Sequence, residues 1–318
     1  MNWLKENAGI IFGSIGGGVI ALLFIFVGLW WGTEPSPFEL RTSNIKGATT
    51  AATVIDLTNN VLTKSGGLLY NDINPISGFW LDNVPMWEYG NIILIRDTTN
   101  ALRNQFSRSQ SQSPEDTDLS KAEPHLQYGI NSWIFPSSEG EYKIGIKFLE
   151  SYLKRITDDN KEDAQFYTRA DNLREFLKIV EKRLGGYSQQ LSASVGQVRF
   201  NTETAGDAEA ETSTKTDDQF KIQTSYFQLD NIFYETRGYT YGLIHVLKAL
   251  EIEFSEVLQK KNAVKSMKQI IRELEQTQRS SWSPIVAWGW INQSVFMSSY
   301  ISRANAAMID LRDLLRQG

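Results

Sequence analysis

Between Ala8 and Trp31 the chain runs for 24 residues without one charged side chain, and no other feature constrains its fold as strongly. As a helix rising about 1.5 Å per residue, such a segment reaches roughly 36 Å, enough to cross a hydrocarbon core of about 30 Å with some tilt. A cleaved signal peptide has an apolar core of about 7 to 15 residues and ends in small residues. Here Trp30, Trp31 and Gly32 close the segment, so it predicts a retained transmembrane helix. Trp3, Trp30 and Trp31 fall where an aromatic belt meets the two headgroup layers. Gly9, Gly13, Gly17 and Ala21 recur every fourth residue and share one face, where small side chains allow self-association or a partner helix. Glycine is also simply common in membrane helices, and the spacing alone does not separate these readings.

The flanking charges set no orientation, because Lys5 and Glu6 precede the span and Arg41 and Lys46 follow it. A tail of seven residues, 1–7, is too short to be a domain. The expectation is therefore a cytoplasmic N-terminus and an extracytoplasmic body. That body is long enough for a real hydrophobic core. With 32 Lys and Arg against 37 Asp and Glu and no basic block, nucleic acid is not expected as a partner. The chain has no cysteine, which excludes disulfides, thiolate catalysis and sulfur-ligated metals. It has two histidines. His125 lies in a polar stretch and His245 in an apolar helical pattern, so no metal site or cofactor is expected.

Residues 32–47 read as an extended spacer, with Pro35 and Pro37 opposing helix, that holds the body off the membrane. A helix is predicted over Ala48 to Thr63, followed by a turn-rich aromatic stretch from Leu68 to Gly90. Asn91 to Phe106 resumes a helical pattern with Ile92, Ile95, Thr99 and Leu102 on one side. Ser107 to His125 is polar enough to predict a long surface loop. A turn-rich connection with Trp133 and Pro136 leads to an amphipathic helix that Ser138 and Glu141 are placed to cap. Asp163 to Leu184 predicts another, with Leu173, Phe176, Leu177, Val180 and Leu184 on one face and Gly185 and Gly186 as its stop.

Residues 201–219 carry six acidic side chains, one lysine and only alanines as apolar residues, a composition expected of a disordered or looped insert. Val198, Phe200, Phe220 and Ile222 alternate around it, as a short hairpin or as two unpaired coil ends. From Tyr226 to Gln278 an apolar stripe of Leu243, Leu247, Leu250, Phe254, Val257, Val264 and Ile271 predicts long helix interrupted near Gly238 and Gly242. Lys261 and Lys268 interrupt the seam, which suits a bundle better than a free coiled coil. A last helix over Asn292 to Arg316 has Met297, Ile301, Ala304, Met308, Leu311 and Leu315 in register. The fold class expected is mainly α: one N-terminal transmembrane helix, then a bundle-like α-helical extracytoplasmic domain over 48–318 with long polar loops.

Two stretches are candidate surfaces. Trp80, Trp87 and Tyr89 with Asp82 and Glu88 could line a sugar-stacking cleft with an acid and a base, or be aromatic packing beneath turns. Ser281 to Met297 holds Trp282, Trp288, Trp290 and Phe296 without a charge, as an interfacial segment or as a buried connection. No catalytic residue is singled out, and no nucleophile elbow of the serine hydrolases is present.

The strings FWLDNVPMWEYG, ALRNQFSRSQSQSPEDTDLSKAEP, NSWIFPSSEGEY and SSYISRANAAMIDLRDLLRQG resemble a family of uncharacterised proteobacterial proteins, domain of unknown function 2333. The resemblance runs from the apolar segment to the C-terminus. It implies a Gram-negative inner-membrane protein with a periplasmic body, and it transfers no catalytic residue. The function expected is that of a non-enzymatic scaffold or assembly component of an envelope complex, with membrane lipid and envelope proteins as partners. The alternative is a protein that binds or hydrolyses wall glycan.

Overall fold

The computed structural model describes residues 8–72, 83–109, 113–158, 163–200, 219–222, 224–279 and 293–317. Of residues 8–13, 28, 29, 195, 197–200, 219–222, 226 and 227 it describes the backbone alone. The protein is mainly α-helical. Helix α1 spans Ala8–Trp31, α2 Ala48–Thr63 and α3 Asn83–Ala101, the last continuing into a π-helical turn over Leu102–Phe106. Then come α4 (Leu119–Leu126), α5 (Ser138–Thr157) and α6 (Ala170–Ser192). A two-stranded hairpin follows: β1 (Gln197–Phe200) runs antiparallel to β2 (Gln219–Ile222), with Val198 opposite Lys221. The C-terminal part holds α7 (Tyr226–Glu253), α8 (Ser255–Lys260), α9 (Val264–Thr277) and α10 (Gln293–Arg316).

Helix α7 is the axle of the body, packing on α3, α2 and α9, while α10 lies against α6 and α9 and α4 against α5. The predicted stripes are the buried ones. Ile92, Ile95, Thr99 and Leu102 of α3, Leu173 to Leu184 of α6, and Met297 to Leu315 of α10 all face one continuous core. At one end of that core Phe106 gathers the rings of Phe166, Phe176 and Phe254 within 5.2 to 6.0 Å.

The expected break at Gly238 and Gly242 is absent, and α7 passes through both. A Cβ added at Gly238 would lie 1.9 Å from the Trp87 carbonyl oxygen, and one at Gly90 would lie 1.9 Å from that of Glu235. The glycines are therefore the places where the backbones of α3 and α7 touch, and continuous helix is what makes that crossing possible. The chain breaks instead at Phe254 and at 261–263, where Asn262 adopts a positive φ of 51°. Nor do Gly185 and Gly186 stop α6, because Tyr187 and Leu191 extend its buried face to Ser192. That helix starts at Ala170, and 165–169 is not helical.

Three further expectations change. Helix α3 begins at Asn83, inside the stretch read as turns, with Pro85 in the first turn where its missing N–H costs nothing. The polar stretch 107–125 is a loop only in part. Asp116 Oδ1 accepts the amides of Asp118 and Leu119 at 2.9 and 3.1 Å, starting α4, which buries Leu119, Ala122 and Leu126 despite Pro124. The cap of α5 is Ser137, whose Oγ accepts the Gly140 amide at 3.1 Å, and Ser138 is buried beside it.

The segment after α1 carries no helix or strand, and it is a docked strap and not a free spacer. Arg237 of α7 pairs with Glu34 at 2.7 Å, the Tyr241 hydroxyl donates to the Ser36 carbonyl at 2.9 Å, and Phe38 stacks on His245 at 4.2 Å. The Gly47 amide donates to Glu253 at 2.7 Å. From residue 34 to residue 47 the strap therefore runs beside α7 from Arg237 to Glu253, about 24 Å of helix, and α2 brings the chain back.

Among the described residues no helix is long and apolar enough to cross a membrane. Helix α1 has 24 residues.

Candidate functional site

The aromatic and acidic residues of α3 come together in its first turns, and they face inward. Trp87 is 0 % exposed, its ring 5.0 Å from that of Tyr241. Glu88 is likewise 0 % exposed; it accepts the amides of Leu69 and Tyr70 at 3.0 and 2.8 Å and pairs with the buried Lys64 ammonium at 2.6 Å. Burial raises the Glu88 pKa against the pull of Lys64. Tyr89 stacks on Tyr70 at 5.5 Å. Trp80 and Asp82 lie outside the described residues. Trp87 and Glu88 are thus core and loop anchor, and neither offers a face to a sugar.

A cleft of about 630 Å³ lies between α6 and α7. At its edge Tyr187 donates to Glu235 at 2.9 Å, and Arg183 pairs with Asp97 at 3.0 Å. Burial raises the pKa of Glu235 and of Tyr187, while the hydrogen bond to Asp97 raises that of Arg183. Lys178, Lys182 and Glu175 complete the rim. Chemically this is one carboxyl pushed toward its neutral form beside a phenol and several cations. Sequence reading passed over it because Arg183 and Tyr187, and Glu235 and Tyr239, are spaced by four inside apolar stripes. That spacing is the signal that was there to be read.

The histidines serve elsewhere. His125, now within α4, meets Glu141 at 2.6 Å. His245 is packed: its Nδ1 lies 2.8 Å from the Tyr241 carbonyl, and its Nε2 accepts the Phe38 amide at 3.3 Å. Among the described residues no cluster of three His, Asp or Glu is placed to hold a metal ion.

Around α1 the picture is different. Leu22, Leu23, Phe24, Ile25 and Phe26 are all exposed, and five consecutive helical positions sweep the whole circumference. A Cβ on Gly17 would meet nothing within 4 Å, and Ala21 is exposed, so the small-residue face is open. Gly9 and Gly13 belong to the same helix, Trp30 is exposed, and Trp3 lies outside the described residues. The Trp31 ring packs on Gly66, where a Cβ would sit 3.0 Å from its Cγ. Trp282, Trp288 and Trp290 also lie outside the described residues, and Phe296 is exposed near the start of α10.

A family model described as "Uncharacterized protein conserved in bacteria (DUF2333)" matches residues 5–318. No curated protein and no solved structure matches the chain.

Proposed function

We propose, from the premise that the chain belongs to the DUF2333 family of bacterial proteins, that it is a single-pass membrane protein whose α-helical body serves as a non-enzymatic scaffold in the cell envelope. One observation carries the reading: α1 presents large apolar side chains on every face and buries none of them from Ile15 to Phe26. Left in water, those side chains would each forgo about 1.5 to 3 kcal/mol of burial, which a bilayer supplies. The strap supports the scaffold part of the proposal. It fixes the body to the exit of α1 through an ion pair, a ring stack and backbone hydrogen bonds, so the body is carried at a set position. The inner membrane is the proposed location, with residues 1–7 on the cytoplasmic side and the body in the periplasm.

Three measurements test it. Membranes washed at alkaline pH should retain the intact chain, and a soluble product shortened at its front would end the anchoring reading. A reporter fused after Gly318 should be active only outside the cytoplasm; the opposite result reverses the orientation. Purification in mild detergent should recover a stoichiometric envelope protein. The glycan alternative is the weaker one, since Trp87 and Glu88 are spent on the core. Binding to purified peptidoglycan that is lost on Trp80→Ala would restore it.

A further inference from the structure

The connection between α4 and α5 presents three large apolar residues in succession to solvent. Trp133 is 55 % exposed, Ile134 57 % and Phe135 99 %. Large side chains left so bare are usually at the end of something loose, but this loop has a fastened stem. The Ser138 hydroxyl lies 2.7 and 2.9 Å from the carbonyls of Gly129 and Ser132, with one proton to donate between them, and accepts the Ser132 amide at 3.1 Å. The Ser132 hydroxyl donates to the Pro136 carbonyl at 2.8 Å, and the Tyr128 hydroxyl reaches the same oxygen at 3.3 Å. Every one of these bonds closes the base of the loop, and the three side chains are held outward.

The position of the stem says what it faces. Asn71 Nδ2 donates to the Ser132 carbonyl at 2.8 Å and to Glu139 at 3.0 Å. Asn71 closes the same turn that begins at Gly66, on which the Trp31 ring rests. Five residues span at most about 18 Å, and this segment is folded back on itself by bonds from Gly67 to Lys64 and from Asp72 to Leu69. The apolar tip is thus tied, through Asn71 and the turn from Gly66, to the end of the body where α1 leaves it.

We infer that residues 133–135 form a second membrane contact, a wedge that enters the interfacial layer of the bilayer that α1 crosses. The inference rests on the anchoring proposed above and adds to it: two points, the helix and the wedge, fix the tilt of the body on the membrane. A tryptophan, an isoleucine and a phenylalanine on a rigid stem match that layer, which takes aromatic rings readily and gains by burying apolar surface.

The chain has no cysteine, so single labels are available. Ile134→Cys, Ile20→Cys and Ser255→Cys, each carrying an environment-sensitive fluorophore, would be placed in phosphatidylcholine nanodiscs bearing nitroxides either near the headgroup or near the chain end. Position 255 stands at the far end of the strap and is the water reference. Position 134 should shift to shorter wavelength and be quenched by the shallow nitroxide, and position 20 by the deep one. A water-like signal at 134 with position 20 quenched overturns the wedge and leaves the anchor standing. Position 20 unquenched removes both. A label at 134 that is wet in nanodiscs and shielded only in native membranes assigns the tip to a protein and also overturns the inference.

Discussion

Glu253 caps a helix that it does not belong to. The first residues of α2 have no side-chain cap of their own, because Gly47 holds a φ of 88° and a Cβ there would fall 2.5 Å from Phe166. The orphan amides of Gly47, Thr49 and Thr50 instead donate to the Glu253 carboxylate at 2.7, 2.9 and 3.3 Å. Burial pushes the Glu253 pKa up and the three amides pull it back, with burial the larger effect. Removing the carboxylate strands three buried donors, and Glu253→Ala should cost on the order of 2 to 4 kcal/mol in urea unfolding of the detergent-solubilised chain. Glu253→Gln keeps an acceptor and should lose clearly less; equal midpoints for the two would show that the capping account is wrong. The Lys64 and Glu88 pair makes a sharper case, both side chains being buried at 2.6 Å. Glu88→Ala leaves a buried ammonium without its counter-charge and should cost about 3 to 5 kcal/mol, whereas replacing both by apolar residues, Lys64→Met with Glu88→Leu, should recover much of the loss. If the double variant is no more stable than Glu88→Ala, the amides of Leu69 and Tyr70, and not the ion pair, dominate.

Two glycines of the same composition value have opposite roles at the scale of helices. Gly186 lies inside α6 with nothing within 4 Å of where its Cβ would be, whereas Gly238 lies inside α7 with the Trp87 carbonyl 1.9 Å away. Gly186→Ala should therefore stabilise the chain by about 0.5 to 1 kcal/mol through helix propensity, and Gly238→Ala should destabilise it by about 3 kcal/mol by forcing α3 off α7. Thermal unfolding of the two variants against the parent checks both signs. The same pair explains what the sequence allowed to be read. The stripes of α3, α6, α7 and α10 were legible because their apolar spacing is set by the face each helix buries. Glycine within a stripe was not, since it reads as a stop, a break or a contact depending on a neighbour that lies 151 residues away in the case of Trp87 and Gly238. The Ser138 cap failed by one residue for a similar reason: Ser137 and Ser138 are adjacent serines, and only the stem contacts to Gly129 and Ser132 decide which of them is withdrawn. The Tyr187 and Glu235 cleft is assembled from two helices, each with an ordinary pattern of its own. Trp133 was read only as part of a turn-rich connection, because its exposure depends on the fastening of the loop beneath it.

At the scale of the molecule the strap joins α1 to the rest of the chain, and one of its contacts titrates. His245 is packed under Phe38, with Nδ1–H directed at the Tyr241 carbonyl and Nε2 accepting the Phe38 amide at 3.3 Å. Burial lowers its pKa below the ordinary 6.5; the Tyr241 carbonyl works the other way, and the Lys248 charge adds to the lowering. The docked form therefore prefers the neutral ring, and the released form takes a proton first. By linkage, docking is at full strength above the ordinary histidine pKa and is lost progressively as pH falls through 6.5 toward the lowered value. Protonation also turns Nε2 into a donor facing the Phe38 amide, two donors with nothing between them. The exposed pair of Lys46 with Glu256 contributes little to holding the strap, while Arg237, itself fixed by the carbonyls of Thr277, Gln278 and Arg279, holds its other end through Glu34. Loosening should accordingly begin in the middle, around Phe38, and spare Glu34. Hydrogen-exchange protection across residues 33–46, taken relative to the intrinsic rate at each pH, should fall on acidification from neutral pH to below 6.5, first at Phe38, and His245→Gln should flatten that dependence. Protection at Phe38 that is indifferent to pH in the parent chain would mean that the imidazole's charge has no part in holding the strap.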